Sequence, residues 1–267
     1  MRKSGGIAAK ALKKAIETIS VGVSGVEVDE VVKREIYKLG GDLSYKTVPG
    51  YKYATCITVN EQVVHGIPTD RKFESGDLVS VDLAVMYKGW HTDCAWSVLV
   101  REQGTGNPPK ARFEESKTRR ARLAKGGRVQ EEEKKKFLKT GEEALWDGIK
   151  QAVTGNRVGD ISNAIQTKVE GAGYQVVRSL VGHGVGRSLH EDPEIPGFGE
   201  KGKGPVLKDG MTLAIEVIYA QGKSDVVLES DGWTFKTADN SWGGLFETSV
   251  IVGGKPEVLT GPNPTMG

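Results

Sequence analysis

Residues 78–100 read LVSVDLAVMYKGWHTDCAWSVLV, two apolar arms rich in β-branched residues on either side of Lys88-Gly89. Such arms read as antiparallel strands, and glycine supplies the positive φ of a tight hairpin turn without steric cost. Each arm carries an acid among apolar neighbours, Asp82 in LVSVDLAV and Asp93 in HTDCAWSV. With the turn at Lys88-Gly89, Asp93 pairs with Ala84 and Asp82 lies diagonally on the same face. Diagonal neighbours are roughly 7–8 Å apart at the backbone, within reach of a shared ion for inward-leaning carboxylates. A single such acid reads as the solvent face of a strand. The second half of the chain repeats the anomaly, however, with Glu216 in LAIEVI and Glu247 in LFETSV. A buried carboxylate needs a cation, a proton or a hydrogen-bond partner, and four of them, two per half, point to a site.

Working outward, 4–19 and 26–39 carry apolar residues at helical spacing, the second helix stopped by Gly40-Gly41. Residues 55–64, 211–220, 225–229 and 244–252 read as strands, and 133–153 and 158–171 as helices. A shift of 133 carries Gly22, Val28, Val32, Ile36 and Gly40 onto Gly155, Ile161, Ile165, Val169 and Gly173. These positions are a helix's core stripe and its two glycine boundaries. The expected architecture is α+β, with two pseudo-two-fold αβ halves around antiparallel strands sharing one core. Residues 1–267 form a single domain in this reading. It is interrupted at about 101–136, where twelve Lys or Arg face six Asp or Glu with few large apolar residues. This stretch reads as a charged insertion or an exposed helical arm.

Composition bounds the function. The 37 basic and 35 acidic residues nearly cancel, which gives no support to a DNA-binding reading. Two cysteines, Cys56 and Cys94, are too few for a secreted disulfide scaffold and suit a reducing cytoplasm. The first twenty residues lack the apolar core of a signal peptide, and the sequence has no run of 18 apolar residues to span a membrane.

Two of the four histidines, His183 and His190, lie in GHGVGRSLHEDPEIPGFG, residues 182–199. A phosphate cradle, a pair of ordinary loop histidines and part of a metal site compete here. GHGVGR lacks the G-x-G-x-x-G spacing, and Pro193 and Pro196 oppose a following helix. His183 as a fifth ligand beside the four acids fits better, with the glycines letting the backbone pass close. Carboxylates with one imidazole favour two divalent ions such as Mn or Fe over a structural zinc. Two such ions roughly 3.5–4 Å apart can share and acidify a water, so the implied chemistry is metal-assisted hydrolysis.

The segments VNEQVVHGIP, VDLAVMYKGWHTD, GHGVGRSLHEDPEIP, GMTLAIEV, SDGWTFKT and FETSVIV, in that order, resemble the type I methionine aminopeptidases. The similarity runs from MRKSGG to PEVLTG and fails only over about 101–132. The resemblance implies the pita-bread fold of that family and removal of initiator methionine from nascent proteins and peptides, preferentially before a small second residue. It implies two divalent ions (Fe, Mn or Co, with Zn also accepted). Asp82 would hold one, Asp93 and Glu247 would bridge both, and His183 and Glu216 would complete the other shell. Glu216 would also take the proton of the bridging water. His190 would hydrogen-bond the scissile carbonyl oxygen, and His65 would contact the substrate's amine or amide nitrogen. Cys56, Trp233 and Tyr51 would line the methionine pocket, where a polarizable and aromatic wall suits a thioether.

Departures fall at Leu189 and Val48, where the family usually has aromatic residues, and at Val217, where a proline usually follows the ligand glutamate. His91 matches no role and is assigned to the hairpin turn. The chain opens at the family's first core helix without its short lead-in, which makes Met1 either a late start or the start of a compact form. A monomer acting on peptides that begin with Met is expected, with no DNA or membrane partner. A transient ribosome contact through 101–136 is the sharper reading of TRRARLAKGGR, against a plain solvated insertion. Two other functions compete: a proline-directed peptidase of the same fold, whose usual leading domain the early Asp82 leaves no room for, and a metal-free binding module.

Overall fold

Helix pairs alternate with antiparallel strands in a computed structural model that describes residues 1–101 and 117–261. The first half contains α1 (Arg2–Thr18), α2 (Gly25–Lys38), β1 (Asp42–Leu43), a 3-10 turn (Ser44–Thr47), β2 (Thr55–Val59), β3 (Gln62–Val64), β4 (Leu78–Tyr87) and β5 (Trp90–Leu99). The second contains α3 (Lys117–Ile149), α4 (Val158–Gly171), β6 (Gln175–Val176), β7 (Gly182–Gly184), β8 (Glu191–Ile195), β9 (Thr212–Ala220), β10 (Val226–Leu228), β11 (Phe235–Thr237), β12 (Gly243–Ile251) and β13 (Glu257–Val258). The main sheet runs β1-β4-β5-β12-β9-β7-β8, with β2 on β4, β6 on β9 and β13 on β12. Its centre is therefore the β5–β12 junction, where the two halves meet.

The hairpin forms as its residues dictate. Lys88 and Gly89 both take positive φ, 51° and 73°, the turn geometry that matches the right-handed twist of the flanking strands. Asp93 lies opposite Ala84 and Asp82 opposite Ala95. The 133-residue echo is structural too, since α2 and α4 start and stop 133 residues apart. Gly22 and Gly155 precede them, and Gly40 and Gly173 follow, all four at φ between 79° and 94°. Val28, Val32, Ile36, Ile161, Ile165 and Val169 are wholly buried. Each helix start is closed by an acid reaching back three residues. Glu27 accepts from Ser24 N and Asp160 from Arg157 N, both at 2.8 Å.

α1 packs on β4 and β5, and α3 on β12 and β9, so the main core lies between the helices and one face of the sheet. The other face is left for the site. Buried Asp29 ties α2 to β2: its Oδ1 accepts from Ala54 N, Thr55 N and Thr55 Oγ1 at 2.7–2.9 Å. Those three bonds fix the strand that carries Cys56.

Four expectations change. Residues 55–64 are two strands, because Asn60 turns at φ 56°, and β2 pairs with β4 while β3 pairs with β11. The helix expected at 133–153 runs from Lys117 to Ile149. Of the charged stretch, residues 102–116 lie outside the described residues, whereas 117–136 belong to α3. His91 is not in the turn. It is the second residue of β5, buried, with Nδ1 2.6 Å from Ser44 Oγ. Val217, noted above as a departure from the resembled family, is buried on the helix side of β9 and paired with Phe246, so it touches the core and not the site.

Candidate active site

Pairing across the sheet brings the four acids together. Asp82 on β4 faces Ala95 on β5, Ala95 faces Glu247 on β12, and Glu247 faces Glu216 on β9. One row across four strands thus reads Asp82, Ala95, Glu247, Glu216. The row two residues along holds Ala84 opposite Asp93 on one side, and Ser249, Ala214 and His183 on the other. Ser249 Oγ accepts from Asp93 N and donates to Asp93 O, both at 2.9 Å, which joins the two parts of that row. Successive strand residues point to opposite faces, so all five candidate ligands share one face. Ala84, Ala95 and Ala214, each wholly buried, leave a floor of methyl groups between the acids. A larger residue at any of them would fill the space into which the carboxylates point.

One ligand atom each of Asp93, His183 and Glu247 lie within 4.8 Å of one another. His183 Nδ1 is 2.9 Å from the Gly184 carbonyl oxygen and donates to it, which leaves the Nε2 lone pair free. That Nε2 stands 4.0 Å from Glu247 Oε1, a gap suited to an ion between them. The glycines earn their place sterically. A Cβ on Gly182 would meet Ala214 O at 2.6 Å, and one on Gly184 would collide with the Asp192 carbonyl.

The electrostatics ask for cations. Burial raises all four carboxyls, and neighbouring acids add to it at Asp93, Glu216 and Glu247: Asp82 goes to about 6 and Glu216 to about 8, with Asp93 and Glu247 well above the usual range. Burial lowers His183 to about 4, so it is a neutral ligand near pH 7. Four acids held this close repel one another unless protons or cations intervene. An oxygen-rich set with one neutral imidazole is the donor chemistry of hard to borderline divalent ions, and the residues fit such ions.

The ligands, both other site histidines and the proposed pocket residues line one cavity of about 760 Å³. His190 lies at its edge with its ring 4.4 Å from that of His183. Burial lowers its pKa and that of His65, which leaves both imidazoles neutral. His65 takes φ 57°, and Gly66 after it passes so close to β2 that a Cβ there would meet the Ile57 carbonyl carbon at 2.7 Å. Trp233 is set by an Asx turn, in which Asp231 Oδ1 accepts from Trp233 N at 2.8 Å. The Tyr51 ring meets Trp233 edge-on at 5.1 Å, and its hydroxyl donates to Thr55 O at 2.8 Å. Cys56 lies opposite Asp82 in the β2–β4 register, a buried thiol beside the acids. Leu189 is buried against Cys56 and Tyr45, and Val48 packs at the edge of the same group.

Tyr45 escaped the sequence reading. It sits in the 3-10 turn, whose four residues show no periodicity, yet its hydroxyl donates to Asp82 Oδ1 at 2.6 Å.

Comparison with known proteins places the chain in a family. A methionine aminopeptidase of Clostridium perfringens is 39% identical over 261 residues, covering 97% of this chain and 94% of that one. Methionine aminopeptidase 1 of Bacillus subtilis is 37% identical over 252 residues, covering 94% and 91%. The crystal structure of a methionine aminopeptidase from Thermotoga maritima superposes with a TM-score of 0.84 at 38% identity, covering 97% and 94%. Residues 1–252 match metallopeptidase family M24, a span that includes both halves of the pseudo-symmetric fold and all five acid and imidazole ligand candidates. The chain belongs to metallopeptidase family M24.

Proposed function

We propose that this chain is a methionyl aminopeptidase that removes the N-terminal methionine of nascent proteins and peptides, preferentially before a small second residue. The observation that carries this is the two rows of ligands opening into one cavity with a Cys56, Tyr51 and Trp233 wall. Asp82, Asp93, His183, Glu216 and Glu247 would hold two divalent ions (Fe, Mn or Co, with Zn also accepted). When bound, such ions supply an acidified water and polarise the scissile carbonyl.

The chain's own residues do the rest. Glu216, deprotonated as a carboxylate that holds a cation must be, accepts the proton of the attacking water. Neutral His190 donates to the scissile carbonyl oxygen and keeps that bond as charge builds on it. His65, which lines the same cavity, contacts the amine or amide nitrogen and assists departure of the new amine. Cys56, Tyr51 and Trp233 enclose the thioether.

With Mn or Co bound, the purified chain is expected to release Met from Met-Ala-Ser and to leave an Xaa-Pro dipeptide intact. No Met release from a metal-loaded sample overturns the reading, and Xaa-Pro cleavage would move the chain to the proline-directed branch of the fold.

The same proposal takes 1–267 as one catalytic domain, monomeric and cytoplasmic, with about 101–136 as a charged insertion. Its two cysteines are free, buried thiols, in keeping with a reducing compartment. No helix of the described residues is long and apolar enough to cross a membrane. The twelve cations of 101–136 support a transient contact with ribosomal RNA. Deleting residues 103–131 should then weaken co-sedimentation with ribosomes at low salt, and unchanged sedimentation would discard the contact.

A further inference from the structure

We propose that Tyr45 is a positioning residue of the metal centre: its hydroxyl holds Asp82 Oδ1 and so fixes how the carboxylate faces a divalent cation. The proposal rests on the reading of Asp82 as a ligand and adds a residue that couples this ligand to the methionine pocket.

The placement of Tyr45 is over-determined. β1 pairs with β4 through Leu43 and Val85, which lays the 3-10 turn against the hairpin beside Asp82. Ser44, the preceding residue, is pinned through its Oγ to Nδ1 of buried His91 at 2.6 Å. His91 in turn donates its backbone N–H to Gly186 O at 2.8 Å, in the loop between His183 and His190. On the other side, Val48 N closes the turn on Tyr45 O at 3.0 Å. The ring is buried against Cys56, Ala84 and Leu189, and Tyr51 meets it edge-on at 5.5 Å. With the ring fixed this way, the hydroxyl donates to Asp82 Oδ1 at 2.6 Å.

Two consequences follow from one side chain. A hydrogen bond on one carboxylate oxygen fixes the plane of the group and takes one of that oxygen's two lone pairs, the usual way an outer partner orients a metal ligand. The same ring also forms a wall of the cavity. Tyr45 therefore joins the pocket that receives the side chain to the acid that sets the ion. His91, which the sequence left without a role, is the anchor that ties this turn to the histidine loop.

The test separates hydroxyl from ring. In Tyr45→Phe the wall stays and the donor goes; in Tyr45→Leu both go. Mn(II) binding to the metal-stripped full chain is measured by calorimetry, and KM for Met-Ala-Ser at saturating Mn(II). Tyr45→Phe is expected to weaken Mn(II) binding about tenfold, as outer-shell changes typically do, with KM within about twofold of the parent. Tyr45→Leu should weaken the metal to a similar degree and raise KM as well, because the pocket loses its wall. Tyr45→Phe binding Mn(II) as tightly as the parent overturns the proposal while leaving the aminopeptidase reading intact. If the parent binds Mn(II) without releasing Met, and Tyr45→Phe still binds it more weakly, the aminopeptidase reading fails and the Tyr45 proposal stands.

Discussion

Glu216→Gln is expected to lower kcat for Met-Ala-Ser by about 10³-fold at saturating Mn(II), within the range general acid–base groups contribute. Glutamine keeps the length and one oxygen of the side chain but cannot accept a proton. Glu216 is opposite Glu247 in the β9–β12 register, so it stands at the end of the acid row nearest β7 and His183. Without a cation its carboxyl is raised to about 8 by burial and then by Asp82, and a bound cation would hold it as the carboxylate that a base must be. The assay is run at saturating metal because the same oxygen pair is a ligand candidate. Calorimetry on the variant separates lost metal from lost proton transfer. A variant that binds Mn(II) normally and retains more than a tenth of parental kcat would remove Glu216 from the base role.

Stripping the metal is expected to make stability fall steeply with rising pH. The acids have folded-state pKa values above their ordinary ones, Asp82 moving from 3.8 to about 6 and Glu216 from 4.5 to about 8. Such groups stay protonated in the fold where the unfolded chain has already ionised them. Their contribution is intact below about pH 4 and is lost as pH rises through 6 and then 8. The loss is on the order of several kcal/mol, or about 10 °C in Tm for a chain of this size. Mn(II) should restore Tm at pH 8 and flatten the profile, since cations replace the protons and bind the folded state alone. Calorimetric melting between pH 5 and 8, with and without Mn(II), reads this directly. A stripped protein whose Tm is flat over that range would mean the acids are solvated apart from one another.

Much of this was legible in the residues. The hairpin turn, the Asp93–Ala84 pairing and the helix echo with its glycine boundaries all depend on local chemistry: period-two patterning, positive φ at Lys88-Gly89, and apolar residues at helical spacing. The break at Asn60 was passed over, although Asn60-Glu61-Gln62 interrupts the apolar run and asparagine tolerates positive φ; the change of partner from β4 to β11 completes the division. The β7 and β8 strands around His183 and His190 were hidden by glycine and proline. Their pairing with β9 and with each other supplies order that the local sequence does not.

The sequence by itself determined that acids sit inside apolar strands, two in each half, and that the halves repeat. Those are one-dimensional facts, carried by side-chain type and spacing. Only the tertiary structure decided that β5 pairs with β12, which sets Asp82 and Asp93 beside Glu216 and Glu247 over a floor of alanines. It alone brought Tyr45 to Asp82 and His91 to Ser44. The physical reason is range. Turn and helix signals act over a few residues, whereas the site is made by strand pairing across some 150 positions. No local preference encodes which edge meets which, and burial of the shared core chooses it.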